Sequence, residues 1–115
     1  MRIASLTLGC KLNYAETSTY ERGFTANGLE VVPWEEQADV YLINTCSVTE
    51  RAEKKCRNVI RKMHRVSPGA RIIVTGCYAE LRRNDLLAID GVSLVFGAKE
   101  KSRVVPDTMD LILNS

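Results

Sequence analysis

At 115 residues the chain suits one compact domain with a single core that needs no disulfide staples. An apolar share of 45% and a charged share of 26% are ordinary for a globular protein and exclude the disordered and fibrous classes. The net charge of +2 does not by itself argue for nucleic acid, and no apolar run approaches the length of a membrane span.

In chain order, a buried strand is expected at Ile3 to Leu8 (IASLTL). A helix follows from about Asn13 to Asn27, with Asn13 as N-cap, Glu16 three residues later and Gly28 closing it. A weaker strand is expected at Glu30 to Pro33. Only Trp34 to Ala38 joins it to the next strand, Asp39 to Thr45 (DVYLINT). A parallel crossover normally takes a dozen residues, so the link must be extended or a single helical turn. Ser47 and Glu50 form a Ser-x-x-Glu capping box for a second helix, which runs to about Val66 and stops at Ser67-Pro68-Gly69. A strand at Arg71 to Thr75 (RIIVT), a helix from about Ala79 to Ala88 and a short strand at Val92 to Phe96 (VSLVF) complete the pattern. The tail carries one short amphipathic stretch around Met109 to Leu113.

Strand and helix alternate, and the strands are near-continuous apolar runs. The expected class is α/β: a flavodoxin-like, doubly wound, mostly parallel sheet of about five strands with helices on both faces.

The cysteines carry the chemistry. Leu6-Thr7-Leu8-Gly9-Cys10 mimics a lipoprotein cleavage box, but the segment before it is too short and too weakly basic for a signal peptide. A cytoplasmic location is expected, where thiols stay reduced and serve metal or redox chemistry rather than staples. There is no Cys-x-x-Cys pair and His64 is the only histidine, so zinc-finger spacings are absent. Three cysteines each follow a strand directly, in Leu8-Gly9-Cys10, Asn44-Thr45-Cys46 and Thr75-Gly76-Cys77. Ligands of doubly wound sheets bind outside the carboxyl ends of the strands. In a 2-1-3-4-5 order these three strands are immediate neighbours spanning about 10 Å, so the three thiols can converge on one small cofactor. Any one of them alone reads better as a small buried apolar residue; three at equivalent positions do not. Cys56 lies on the apolar stripe Val48, Ala52, Cys56, Ile60, Met63 and belongs to the core. Three thiolates on a cubane cluster leave one iron without a protein ligand, open to an exogenous sulfur species.

Gly9-Cys10-Lys11-Leu12-Asn13 with Glu16-Thr17, then Asn44-Thr45-Cys46-Ser47-Val48-Thr49, then Thr75-Gly76-Cys77-Tyr78-Ala79-Glu80, resemble the N-terminal domain of the radical-SAM methylthiotransferases over about residues 3 to 100. The Gly-Cys-Lys-Leu-Asn form is similar to the branch acting on threonylcarbamoyladenosine in tRNA; the isopentenyladenosine branch is the alternative. The resemblance implies an auxiliary 4Fe–4S cluster on Cys10, Cys46 and Cys77 that delivers methylated sulfur to C2 of adenosine at tRNA position 37. It implies a second 4Fe–4S cluster and S-adenosylmethionine on a separate radical domain, a small RNA-binding domain, and no membrane or obligate protein partner. The radical domain's Cys-x-x-x-Cys-x-x-Cys motif is absent, so residues 1–100 read as the cluster domain, 101–115 as the start of a linker, and the fragment alone as inactive.

Asn13, Asn44 and Thr45 are candidates for the surroundings of the cluster, although capping the first helix is the preferred reading of Asn13. The helix from Glu50 to Arg65 is strongly basic, and its Arg57, Arg61 and Arg65 are candidate tRNA contacts beside the plainer reading of a solvated face. His64 receives no role; Trp34 and Tyr41 read as packing. Two other classes compete. A stand-alone flavodoxin-like binding module lacks a phosphate loop, and a thiol–disulfide protein using Cys10 and Cys46 leaves Cys77 unexplained.

Overall fold

Strands β1 (Arg2–Leu8), β2 (Glu30–Val32), β3 (Val40–Thr45), β4 (Arg71–Gly76) and β5 (Val92–Phe96) form one sheet in the order β2-β1-β3-β4-β5, every pair parallel. This is the expected doubly wound arrangement. The computed structural model describes residues 1–8, 11–45 and 49–114, with Lys11 and Leu12 through their backbone alone. Cys10, Cys46, Ser47 and Val48 lie outside the described residues.

Because helices cover both faces, the central strand β3 is buried at all six positions. On one face Ile3, Val40, Leu42 and Ile73 pack with Tyr20 and Phe24 of α1 (Lys11–Ala26) and with Val104 and Ile112 of α5 (Val104–Leu113). On the other, Tyr41, Ile43, Ile72 and Val74 meet α2 (Glu50–Val66), α3 (Cys77–Leu81) and α4 (Arg83–Leu87). Cys56, Ile60 and Met63 form the buried stripe of α2 as the periodicity predicts.

The stop of α1 is also as expected. Gly28 takes φ +91°, its N–H bonds Thr25 O at 3.0 Å and the Leu29 N–H bonds Phe24 O at 3.1 Å, a Schellman closure in which Leu29 and Phe24 share the core. The short link after β2 turns once, with the Glu36 N–H donating to Pro33 O at 3.1 Å. Tyr41 fastens it from within the core: its hydroxyl donates to Glu36 O at 2.9 Å and accepts from the Ala38 N–H at 3.2 Å.

Three helix boundaries differ from expectation. Helix α1 begins at Lys11, so Asn13 sits inside its first turn and is not the N-cap; its amide is drawn inward by partners on β3, described below. Helix α2 is capped by Thr49, not Ser47. Thr49 has the extended backbone of a cap, and its Oγ1 accepts from the Ala52 N–H at 3.1 Å, so Glu50 is the first helical residue. The single helix expected over Ala79 to Ala88 is two short ones broken at Arg82, whose backbone (φ −126°, ψ 37°) leaves the helical region. The break lets Leu86 turn fully into the core while Leu81 stays exposed. Beyond β5, a 3-10 turn (Ala98–Arg103) leads into α5, a helix that buries Val104, Thr108 and Ile112. Among the described residues no helix is long and apolar enough to cross a membrane.

Candidate metal centre

The carboxyl ends of β1, β3 and β4 are level. The register pairs Leu8 with Thr45 and Thr45 with Gly76, so these three residues stand in one row across adjacent strands. Along the chain Cys46 comes next after Thr45, Cys77 next after Gly76, and Cys10 two after Leu8. Of the three only Cys77 is among the described residues. It is a free, exposed thiol at the first position of α3.

Gly76 makes that placement feasible. Its backbone (φ +109°, ψ −168°) is one that L side chains rarely adopt, and a Cβ there would meet Thr45 O at 1.9 Å. Only glycine lets β4 stay paired to β3 up to the residue before Cys77.

Immediately beneath the row lies a second one, Thr7, Asn44 and Thr75, also in register and wholly polar. All three are buried, so each needs a partner. Thr7 Oγ1 bonds Thr17 Oγ1 at 2.8 Å, and the Asn44 amide donates to Thr17 Oγ1 at 3.2 Å and to Asn13 O at 3.0 Å. Asn13 Nδ2 returns to Asn44 Oδ1 at 3.0 Å and to Thr45 O at 3.1 Å, while Thr45 Oγ1 donates to Thr75 O at 2.9 Å. The network ties the start of α1 to the ends of β1, β3 and β4. It brings together the three sequence candidates Asn13, Asn44 and Thr45. Sequence reasoning missed Thr7, Thr17 and Thr75, although a polar residue two before Cys46 and Cys77, interrupting an apolar run, was the available signal.

We expect Asn44→Ala to lower unfolding free energy by about 2–3 kcal/mol, because it strands several buried groups at once. In a double-mutant cycle with Asn13→Ala the coupling should exceed roughly 1 kcal/mol. Denaturant titration checks both; a coupling near zero would leave Asn13 with a local role only.

Beside Cys77, Glu16 of α1 pairs with Lys101 of the 3-10 turn. That hydrogen bond holds the Lys101 ammonium above the usual lysine range, and the charge available on Tyr20 and Cys77 adds to the effect. Cys56 is the opposite case. It is 1% exposed, and burial pushes its thiol up to about 12, so at neutral pH it remains a protonated core residue. Among the described residues no three His, Cys, Asp or Glu side chains converge as a metal site; two of the three candidate thiols fall outside them.

A family model described as "Uncharacterized protein family UPF0004" matches residues 2–97. The chain belongs to this family. The UPF0004 chain is 43% identical over 103 residues to the threonylcarbamoyladenosine tRNA methylthiotransferase MtaB of Bacillus subtilis (strain 168), covering 90% of this chain and 23% of the relative. Against the protein of the same name from Aquifex aeolicus (strain VF5) the identity is 39% over 105 residues, 91% of this chain and 26% of that one. A tRNA-2-methylthio-N(6)-dimethylallyladenosine synthase of Fervidobacterium nodosum is 31% identical over 109 residues, 95% of this chain and 24% of the relative. The chain spans about a quarter of the length of the curated relatives it matches.

The arginines singled out on α2 lie beside this domain's flank. Arg57, Arg61 and Arg65 line a groove of about 650 Å³ with His64, Asp85 and Asp90. Arg57 is already engaged: it donates to Tyr78 Oη at 3.1 Å and lies 4.0 Å from Glu53.

Proposed function

We propose that this domain is the auxiliary iron–sulfur module of a tRNA methylthiotransferase, with Cys10, Cys46 and Cys77 as the protein ligands of a 4Fe–4S cluster. The supporting observation is the level row Leu8–Thr45–Gly76, after which a cysteine follows within two residues of the end of each of three adjacent strands. The donor set suits the group. Thiolates are the usual ligands of iron–sulfur clusters, and three of them leave one iron open to a sulfur species. When bound, such a cluster would hold at its open iron the sulfur species that is transferred. The chain's own residues do the remaining work here. Gly76 lets the β4 end approach β3, and the Asn13–Asn44–Thr45 network fixes the strand ends.

The substrate reading is C2 of N6-threonylcarbamoyladenosine at tRNA position 37, within a cytoplasmic enzyme whose radical and RNA-binding domains lie elsewhere in its sequence. Two observations support it over the dimethylallyl branch: the Gly9-Cys10-Lys11-Leu12-Asn13 motif, and the higher identity to the threonylcarbamoyladenosine enzymes. Assay of the full-length enzyme on tRNA carrying one or the other base distinguishes them.

Anaerobic incubation of the full-length protein with iron and sulfide tests the cluster. The expected result is a brown protein with broad visible absorption that the Cys10, Cys46 and Cys77 side chains are each needed to retain. A colourless, folded product would favour a binding module, and a stable intramolecular disulfide a redox protein. For the RNA side, charge reversal of Arg57, Arg61 and Arg65 should weaken tRNA binding by roughly ten-fold at moderate salt. Unchanged affinity at low and high salt would reject those contacts.

A further inference from the structure

Helix α2 carries a second set of basic residues on the side away from Asp85 and Asp90. Arg51, Lys54, Lys55 and Lys62 recur at helical spacing, so they stand in one row along its exposed face, and all four side chains are exposed. With Trp34 of the β2–β3 link they line an open groove of about 610 Å³. Lys62 Nζ stands 5.4 Å from the centroid of the Trp34 ring, a cation–π contact that seats one end of the row. Among the described residues no carboxylate lines this groove. Among the described residues none of these four cations forms an ion pair, whereas Arg57 and Arg82 both reach Glu53.

A row of this kind is unfavourable in isolation. Like charges three and four residues apart on a helix repel, and a solvated surface helix usually relieves this with interleaved glutamates. In α2 the only acids are Glu50 and Glu53, in its first turn. The row runs for roughly 16 Å at helical rise. Its Arg51 end is the end of α2 that follows Cys46 in the chain, so the row leads away from the carboxyl ends of the strands.

We propose that this row is a track for the phosphate backbone of the RNA strand whose base is presented at the strand ends. The inference rests on the tRNA reading given above. Lysine ammoniums suit phosphates as point charges at repeated spacing. A linear series of them fits a linear polyanion better than a folded acidic protein, which would present scattered carboxylates. A membrane surface would call for exposed apolar side chains to insert beside the charges, and the exposed Leu81, Leu87 and Leu113 do not line this groove.

The test uses the full-length enzyme and its tRNA, with dissociation constants measured by fluorescence anisotropy over a series of KCl concentrations. Neutralising Lys54, Lys55 and Lys62 together to glutamine should reduce the slope of log K against log salt by about two and weaken binding by roughly ten-fold or more at moderate salt. The triple arginine variant should keep both, because it keeps the charges. Thermal unfolding should barely move in the arginine variant and fall only slightly in the glutamine variant, which loses the Lys62–Trp34 contact. A glutamine variant that matches the wild type in affinity and slope overturns the track while leaving the tRNA reading intact. Wild-type enzyme that binds no tRNA removes that reading and the track with it. Loss of binding to polyglutamate or to phosphatidylserine vesicles, with tRNA binding unchanged, assigns the row to an acidic protein or a membrane and overturns the proposal.

Discussion

Alanine at Cys10, Cys46 or Cys77 is expected to abolish retention of iron and sulfide in the full-length protein's auxiliary site, while alanine at Cys56 leaves the cluster in place. The contrast follows from where each thiol lies relative to the ends of the strands. Cys77 starts α3 as an exposed free thiol next to Gly76, and along the chain Cys46 comes next after Thr45 and Cys10 two after Leu8, the ends of the two neighbouring strands. Cys56 lies inside α2, roughly 9 Å along the helix from its first residue Glu50, and packs with Ile60, Met63 and Ile72. A thiol pushed up to about 12 cannot supply a thiolate at neutral pH without a large cost. Iron analysis of reconstituted variants should therefore give full auxiliary occupancy for Cys56→Ala and none for the other three. Iodoacetamide offers a cluster-free check. Cys77 should label within the folded apo protein and Cys56 only on unfolding, as read by mass spectrometry. Cys56→Ala should still destabilise the fold by about 1–2 kcal/mol, since it removes a buried sulfur from a close-packed core.

The core place of Cys56 and the place of Cys77 at the end of β4 were legible in the sequence, because they depend on periodicities that are easy to count. Cys56 falls on a helical apolar stripe, and the other three fall at the ends of apolar runs. The strand order was legible for a related reason: buried parallel strands are continuous apolar runs, and β3 is buried at every position. What was not legible depends on neighbours distant in sequence. Asn13 looks like an N-cap because it precedes an amphipathic run and has Glu16 three residues later. Inside the fold, Asn44 and the carbonyl of Thr45 outcompete the local role, and α1 begins earlier. The break at Arg82 has no glycine or proline to announce it; burial of Leu86 against the sheet decides it. The pair Glu16–Lys101 joins the first helix to a turn near the other end of the chain, a contact that no local pattern encodes.

Gly76→Ala should be the most damaging small substitution in the domain, and comparison with Gly28→Ala shows why. Both glycines have positive φ, +109° at Gly76 and +91° at Gly28, so both substitutions introduce backbone strain of about 1 kcal/mol or more. At Gly28 an added Cβ meets nothing within 4 Å, and the strain is the whole cost. At Gly76 the same atom lies 1.9 Å from Thr45 O and 2.8 Å from Thr45 N and C, all backbone, so no side chain can swing aside. Either β4 separates from β3 at its end or the turn into α3 changes its backbone. Both routes break the pairing of Thr45 with Gly76 and displace the peptide that carries Cys77. The expected loss of stability is about 3 kcal/mol or more for Gly76→Ala, a large part of a typical domain's total, against about 1 kcal/mol for Gly28→Ala. Iron retention separates strain from function. Gly28→Ala should reconstitute like the wild type, and Gly76→Ala should lose iron even at temperatures where circular dichroism shows it folded. Equal behaviour of the two variants would mean that the close approach of β4 to Thr45 does not set the position of Cys77.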